Sequence, residues 1–146
     1  MAQGKIINDS KSGNYVSGTK VFILDKFSSQ TSNELIGNLS DMVSAMPQTT
    51  MYQSNQPIVS PYDIENIDNP IIDVYINSNG GDGAILDSIN TLLSIAKFNG
   101  AIIRTTVLSK AHSCGSLLAI TGTPGFRIMY SQAYHHVHFG HHSFGV

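Results

Sequence analysis

Charge is scarce in this sequence. Asp, Glu, Lys and Arg make up 12% of its 146 residues, about half the usual quarter. The 8 Lys+Arg set against 10 Asp+Glu leave a net charge of −2. There is thus no basic excess to form a footprint for nucleic acid or an anionic membrane. Cysteine is scarcer still. Cys114 stands alone, which excludes an internal disulfide framework and fits a reducing compartment. No apolar run reaches the roughly 18 residues of a membrane span, and residues 1–10 lack the apolar core of a secretory signal. No internal repeat is present, and the histidine-rich end is the one biased tract. Against these absences stands a hydrophobic content of 41%, enough to bury a core. The length suits one domain of about 100–200 residues. Together these figures predict a soluble cytoplasmic domain and leave its chemistry open.

Residues 1–19 are polar, rich in Gly, Ser and Asn, and read as a flexible N-terminal arm ahead of a core at residues 20–146. Residues 20–24 (KVFIL) predict a short buried strand. Thr31-Ser32-Asn33-Glu34 has capping-box spacing, and Leu35, Leu39, Met42, Val43 and Met46 follow at helical intervals, which predicts a helix over residues 32–45. Residues 47–70 break the pattern with Pro47, Pro57, Pro61 and Pro70, and read as an inserted surface loop or a lid.

Residues 71–76 (IIDVYI) predict a second strand, and residues 77–83 a tight glycine-rich turn. Ile85, Ile89, Leu92, Leu93 and Ala96 form one apolar stripe, predicting a helix that ends near Asn99-Gly100. Residues 101–108 read as a third strand. Strand, turn, helix and strand make a βαβ unit with parallel pairing and a right-handed crossover. A turn at 109–113, a short helix over 114–121 and strands at 126–130 and 133–138 complete an α/β pattern.

Three groups of residues could carry chemistry. Gly80-Gly81 follows a strand and opens a helix, where glycine lets the backbone approach a ligand and offers N–H groups to negative charge. A turn that needs positive φ explains the pair equally well, and the surrounding residues complete neither a dinucleotide-binding nor a phosphate-loop pattern. Ser113 sits at a strand-to-helix elbow among small residues, AHSCGS. That placement suits a nucleophile whose following N–H helps hold an oxyanion, and it suits a plain helix N-cap too. All six histidines lie at or beyond position 112. Strand alternation places Tyr134, His136 and His138 on one face, and His135 and Val137 on the other. His136 and His138, with His141 or His142, have permissive spacing for a metal. A polar terminal strand explains the same run, and one of these imidazoles could deprotonate Ser113 near pH 7.

In order along the chain, these segments resemble the proteolytic subunit of the Clp protease family. Tyr75-Ile76-Asn77-Ser78-Asn79-Gly80-Gly81 is similar to the family's Y-I-N-S-P-G-G, with Asn79 in place of proline. The segment KAHSCGSLL around Ser113 is similar to Q-A-A-S-M-G-A-x-L. Gly122, Gly125 and Arg127 fall where the family carries T-A-G-x-x-G-x-R, and Val137-His138 lands without a gap on M-I-H. The resemblance spans residues 20–140, apart from the longer connection at 47–70.

It implies a ClpP/crotonase-like spiral of ββα units and a serine endopeptidase acting without a cofactor or metal. On this reading Ser113 is the nucleophile and His138 the base, with His136 as the alternative base on the same face. The backbone N–H groups of Gly81 and Cys114 would form the oxyanion hole. The strand beside the glycine pair would offer an edge to an extended peptide. The implied partners are an unfolded polypeptide substrate, further copies of the chain in a ring, and an AAA+ unfoldase; neither nucleic acid nor membrane is implied.

The family's triad closes with an Asp or Asn well beyond the histidine, and here no acidic residue follows Asp87. The resemblance therefore implies a chain truncated after the base, without the orienting acid and the C-terminal handle. Loss of such an acid lowers rate by about 10⁴ in the serine protease template. Two further expectations follow from these features: a catalytically impaired scaffold that serves assembly, and a histidine-tail metal-binding module. Crotonase-like acyl-CoA enzymes share the fold but lack a serine–histidine pair at these positions.

Overall fold

The computed structural model describes residues 4–8, 19–46, 48–53, 60–64 and 67–137. Strand β1 (Gly4–Asn8) is followed by β2 (Thr19–Phe27), helix α1 (Ser29–Ala45), β3 (Ile71–Gly81) and α2 (Gly83–Phe98). Then come β4 (Ile102–His112), α3 (Cys114–Ile120), β5 (Arg127–Met129) and β6 (Tyr134–His136). The six strands form one sheet in the order β1-β2-β3-β4-β5, with β6 also paired to β4. Only β1 runs antiparallel to its neighbour; β2–β3, β3–β4, β4–β5 and β4–β6 are all parallel. This is the α/β architecture expected from the βαβ pattern. No described helix is long and apolar enough to cross a membrane.

The sheet's centre follows from composition. A parallel strand covered on both faces reads as a continuous apolar run, and Ile72, Val74 and Ile76 of β3 and Ile102, Ile103 and Val107 of β4 are all buried. Helix α1 adds Leu35, Leu39 and Val43 to the core and its C-cap Met46 joins them, and α2 adds Ile85, Leu86, Ile89, Leu93 and Ala96. Leu86 replaces Leu92, which is only half-buried, so the core-facing stripe of α2 is rotated slightly from the expected one.

Several boundaries differ from the sequence reading. Helix α1 begins at Ser29, inside which the Thr31–Glu34 spacing falls. Its N-cap, Ser28, makes no side-chain cap bond, and its carbonyl accepts from Ser32 N–H at 3.1 Å. Gly4–Asn8, within the segment read as an arm, pairs with Thr19–Ile23 of β2. The glycine turn expected at 77–83 and the turn expected at 109–113 are instead extensions of β3 to Gly81 and of β4 to His112. Pairing with β2 carries β3, and pairing with β6 carries β4, past their apolar runs.

The described parts of residues 47–70 attach at the opposite end of the sheet. Thr49 N–H donates to the Asn99 carbonyl at 2.8 Å, and Asn69 Nδ2 donates to the carbonyls of Thr50 and Gly100 at 3.1 and 2.8 Å. Arg104 forks onto Asp73 at 2.6 and 3.1 Å, donates to the Pro61 carbonyl at 2.9 Å and lies 5.8 Å from the Tyr62 ring centroid. Arg104 is near the start of β4. Ser113, just past its end, is roughly 30 Å further on at about 3.3 Å per residue. These contacts place the described parts of residues 47–70 away from any lid position over the serine.

Candidate active site around Ser113

Parallel strands deliver their C-terminal ends to one edge, and this edge brings Gly80-Gly81 of β3 beside the β4–α3 elbow. The β3–β4 register ends at Ser78↔Ala111, so on that side residues 79–81 continue alongside the elbow rather than alongside β4. A methyl group at Gly80 would stand 2.9 Å from Ser113 Cβ and 3.0 Å from the His112 carbonyl oxygen. Gly80 has φ +99°, and Gly81 φ +142° with Phe27 backbone occupying the place of a side chain. Glycine at both positions therefore serves a backbone need and a close approach together. On the far side, β2 pairs with β3 through Phe27↔Gly81. The edge expected beside the glycine pair is thus closed by β2.

Ser113 has φ 51° and ψ −113°, and among the described residues no other non-glycine has positive φ. Such a strand-to-helix turn lifts a side chain clear of both elements. The simple N-cap expectation fails here: Ser113 occupies the cap position of α3 but makes no side-chain cap hydrogen bond. Its backbone is held on both sides. Ser113 N–H donates to the His136 carbonyl at 2.8 Å, and its own carbonyl accepts from Leu117 N–H at 3.0 Å.

Cys114 begins α3 with its side chain buried. Its thiol donates to the Gly81 carbonyl at 3.4 Å, so the two residues expected to supply oxyanion N–H groups lie side by side. Burial pushes the Cys114 thiol above its usual range, and hydrogen bonds with Ser113 and the Gly81 backbone only partly oppose this.

Of the histidines, His112, His135 and His136 fall among the described residues. His136 lies directly opposite His112 on β4. The His112 ring packs against Tyr134 and His136 at centroid distances of 5.2 and 5.3 Å, and its buried Nε2 has no hydrogen-bond partner among the described residues. His138, His141 and His142 lie outside the described residues, so the expected base and the outer metal candidates do too. Among the described residues no three His, Cys, Asp or Glu side chains cluster to hold a metal.

One pair was not anticipated. Ser116 Oγ lies 2.8 Å from His135 Nδ1. The signal was present in two separate patterns: strand alternation turns His135 away from His136, and helical spacing sets Ser116 one turn beyond Ser113. Nothing in the sequence brought those two faces together.

Residues 62–145, more than half of the chain, match a family model described as Clp protease. No curated protein matches the chain.

Proposed function

Since this chain belongs to the Clp protease family, we propose that it is the core of a serine-type peptidase in which Ser113 is the nucleophile. The observation that carries this reading is the Ser113 backbone. A serine is held at positive φ on a strand-to-helix elbow, with Gly80 packed against it in place of a side chain.

In the reaction, Ser113 Oγ attacks the scissile carbonyl while a histidine takes its proton. His138 is the assigned base, by its spacing from Ser113 in the family pattern. The negative charge formed on the carbonyl oxygen is held by the backbone N–H groups of Gly81 and Cys114, each such donor being worth about 3–4 kcal/mol in serine hydrolases. Collapse of this intermediate breaks the C–N bond, and the protonated histidine gives its proton to the leaving amine. Water then cleaves the acyl-enzyme by the same route in reverse. The Cys114 side chain takes no part. Substrates on this reading are unfolded polypeptides, with an AAA+ unfoldase and a ring of like subunits as partners.

The test is covalent labelling. A serine-reactive fluorophosphonate should modify Ser113, and Ser113→Ala should abolish the adduct. An adduct that survives the substitution refutes the assignment.

A further inference from the structure

Beside the proposed nucleophile, the structure contains a serine–histidine hydrogen bond, between Ser116 Oγ and His135 Nδ1 at 2.8 Å. Its geometry excludes a second nucleophile. Ser116 is 1% exposed, so no scissile carbonyl can reach its oxygen. The hydrogen bond between Ser116 Oγ and His135 Nδ1 gives a buried hydroxyl a partner it needs.

Strand β6 is three residues long, and its described pairing is with β4 alone. A strand this short has little pairing of its own to hold it. Yet β6 fixes the elbow, because the His136 carbonyl accepts the Ser113 N–H at 2.8 Å. Adjacent residues of β6 therefore reach two positions one helical turn apart: His136 binds Ser113 through backbone, and His135 binds Ser116 through side chains. The Ser116–His135 bond thus adds a side-chain tie to α3 alongside the short β4 ladder.

We propose that Ser116 and His135 are positioning residues: their hydrogen bond clamps β6 to α3 and so keeps the Ser113 elbow in its strained conformation. The catalytic part of this proposal rests on Ser113 being the nucleophile; the clamp itself does not. Small displacements of a reacting group are costly in rate, and local opening is read by amide exchange.

The experiment compares Ser116→Ala, His135→Phe and His135→Asn with the unaltered chain. Asn presents a polar atom near the place of Nδ1, whereas Phe keeps the ring and removes the nitrogen. In hydrogen exchange, peptides covering Ser113 and Tyr134–His136 should exchange about 5-fold faster in Ser116→Ala and His135→Phe, the effect of one lost hydrogen bond, and near the original rate in His135→Asn. On a peptide ester, kcat should fall about tenfold in the first two variants with KM within about twofold, the pattern of a misplaced nucleophile. The pH midpoint of the rate should stay fixed. Unchanged exchange, or equal exchange in the Phe and Asn variants, overturns the clamp. A moved pH midpoint in His135→Asn also overturns it, since His135 would then be the proton acceptor itself. Failure of the unaltered chain to label at Ser113 would remove the peptidase reading, and exchange would still decide the clamp.

Discussion

Gly80→Ala isolates the contact that joins the glycine pair to the serine. Two penalties apply at this position. An alanine at φ +99° occupies backbone space that side-chain-bearing residues rarely adopt, at a cost of about 1–3 kcal/mol. Its methyl would also stand 2.9 Å from Ser113 Cβ and 3.0 Å from a backbone oxygen. Neither neighbour is the far end of a flexible side chain, so the elbow must shift, and overpacking of this kind costs about 1–3 kcal/mol. The sum is about 2–6 kcal/mol, a large part of a typical 5–15 kcal/mol stability. At about 2–4 °C per kcal/mol for a domain of this size, Tm should fall by about 4–24 °C. Gly37→Ala is the control. Gly37 lies within α1 with nothing inside 4 Å of the added methyl, and the same change there should stabilise by about 0.5–1 kcal/mol. Calorimetry gives both melting points, and fluorophosphonate labelling well below them reports the elbow. A Gly80→Ala variant that melts and labels like the original chain would refute the inferred packing of β3 against Ser113.

Arg104→Ala strips the counter-ion from Asp73, whose side chain is only 11% exposed in the pair; denaturant melts should show a loss of about 3 kcal/mol. The same variant releases Pro61 and Tyr62, so chymotrypsin should cut at Tyr62 faster, while Ser113 labelling of the folded fraction stays unchanged. Reaction of native Cys114 with a disulfide reagent should be slow at pH 8 and should accelerate only above the usual thiol range, because burial disfavours the thiolate. The sign for stability follows: the unfolded chain loses this proton first as pH rises, so this contribution is present below the ordinary thiol pKa and is lost through the alkaline range. Urea melts of the original chain should therefore lose more stability between neutral and alkaline pH than those of Cys114→Ser.

Legibility in the sequence tracked how local each signal was. The apolar runs of β3 and β4 and the stripe of α2 gave the parallel βαβ unit, since burial on both faces leaves a continuous apolar record. Residues 77–81 and 109–112 look like turns by composition, yet they are strand: β2 follows β3 to Gly81 across a register shift, and the end of β4 pairs with Ser78 and with β6. Partners supplied what propensity withheld. The elbow at Ser113 was visible as small residues between a strand and a helix, and the family pattern singled it out. Its strained φ was not visible, because that depends on Gly80 from one strand and the His136 carbonyl from another. The Arg104–Asp73 fork that ties down Pro61 is a cross-strand pair, and its carboxylate lies in a run that otherwise reads as wholly apolar.

The Ser113 backbone also has an evolutionary meaning. A non-glycine residue at φ 51° and ψ −113° sits above its relaxed state by about 1–3 kcal/mol, and glycine at the same place would carry little of that burden. Under selection for folding alone, mutation would drift toward glycine at position 113, because the more stable sequence tolerates more change elsewhere. On the proposed peptidase reading, a serine there marks the position where foldability and reactivity pull in opposite directions. Among the described positive-φ residues it is the one that is not glycine.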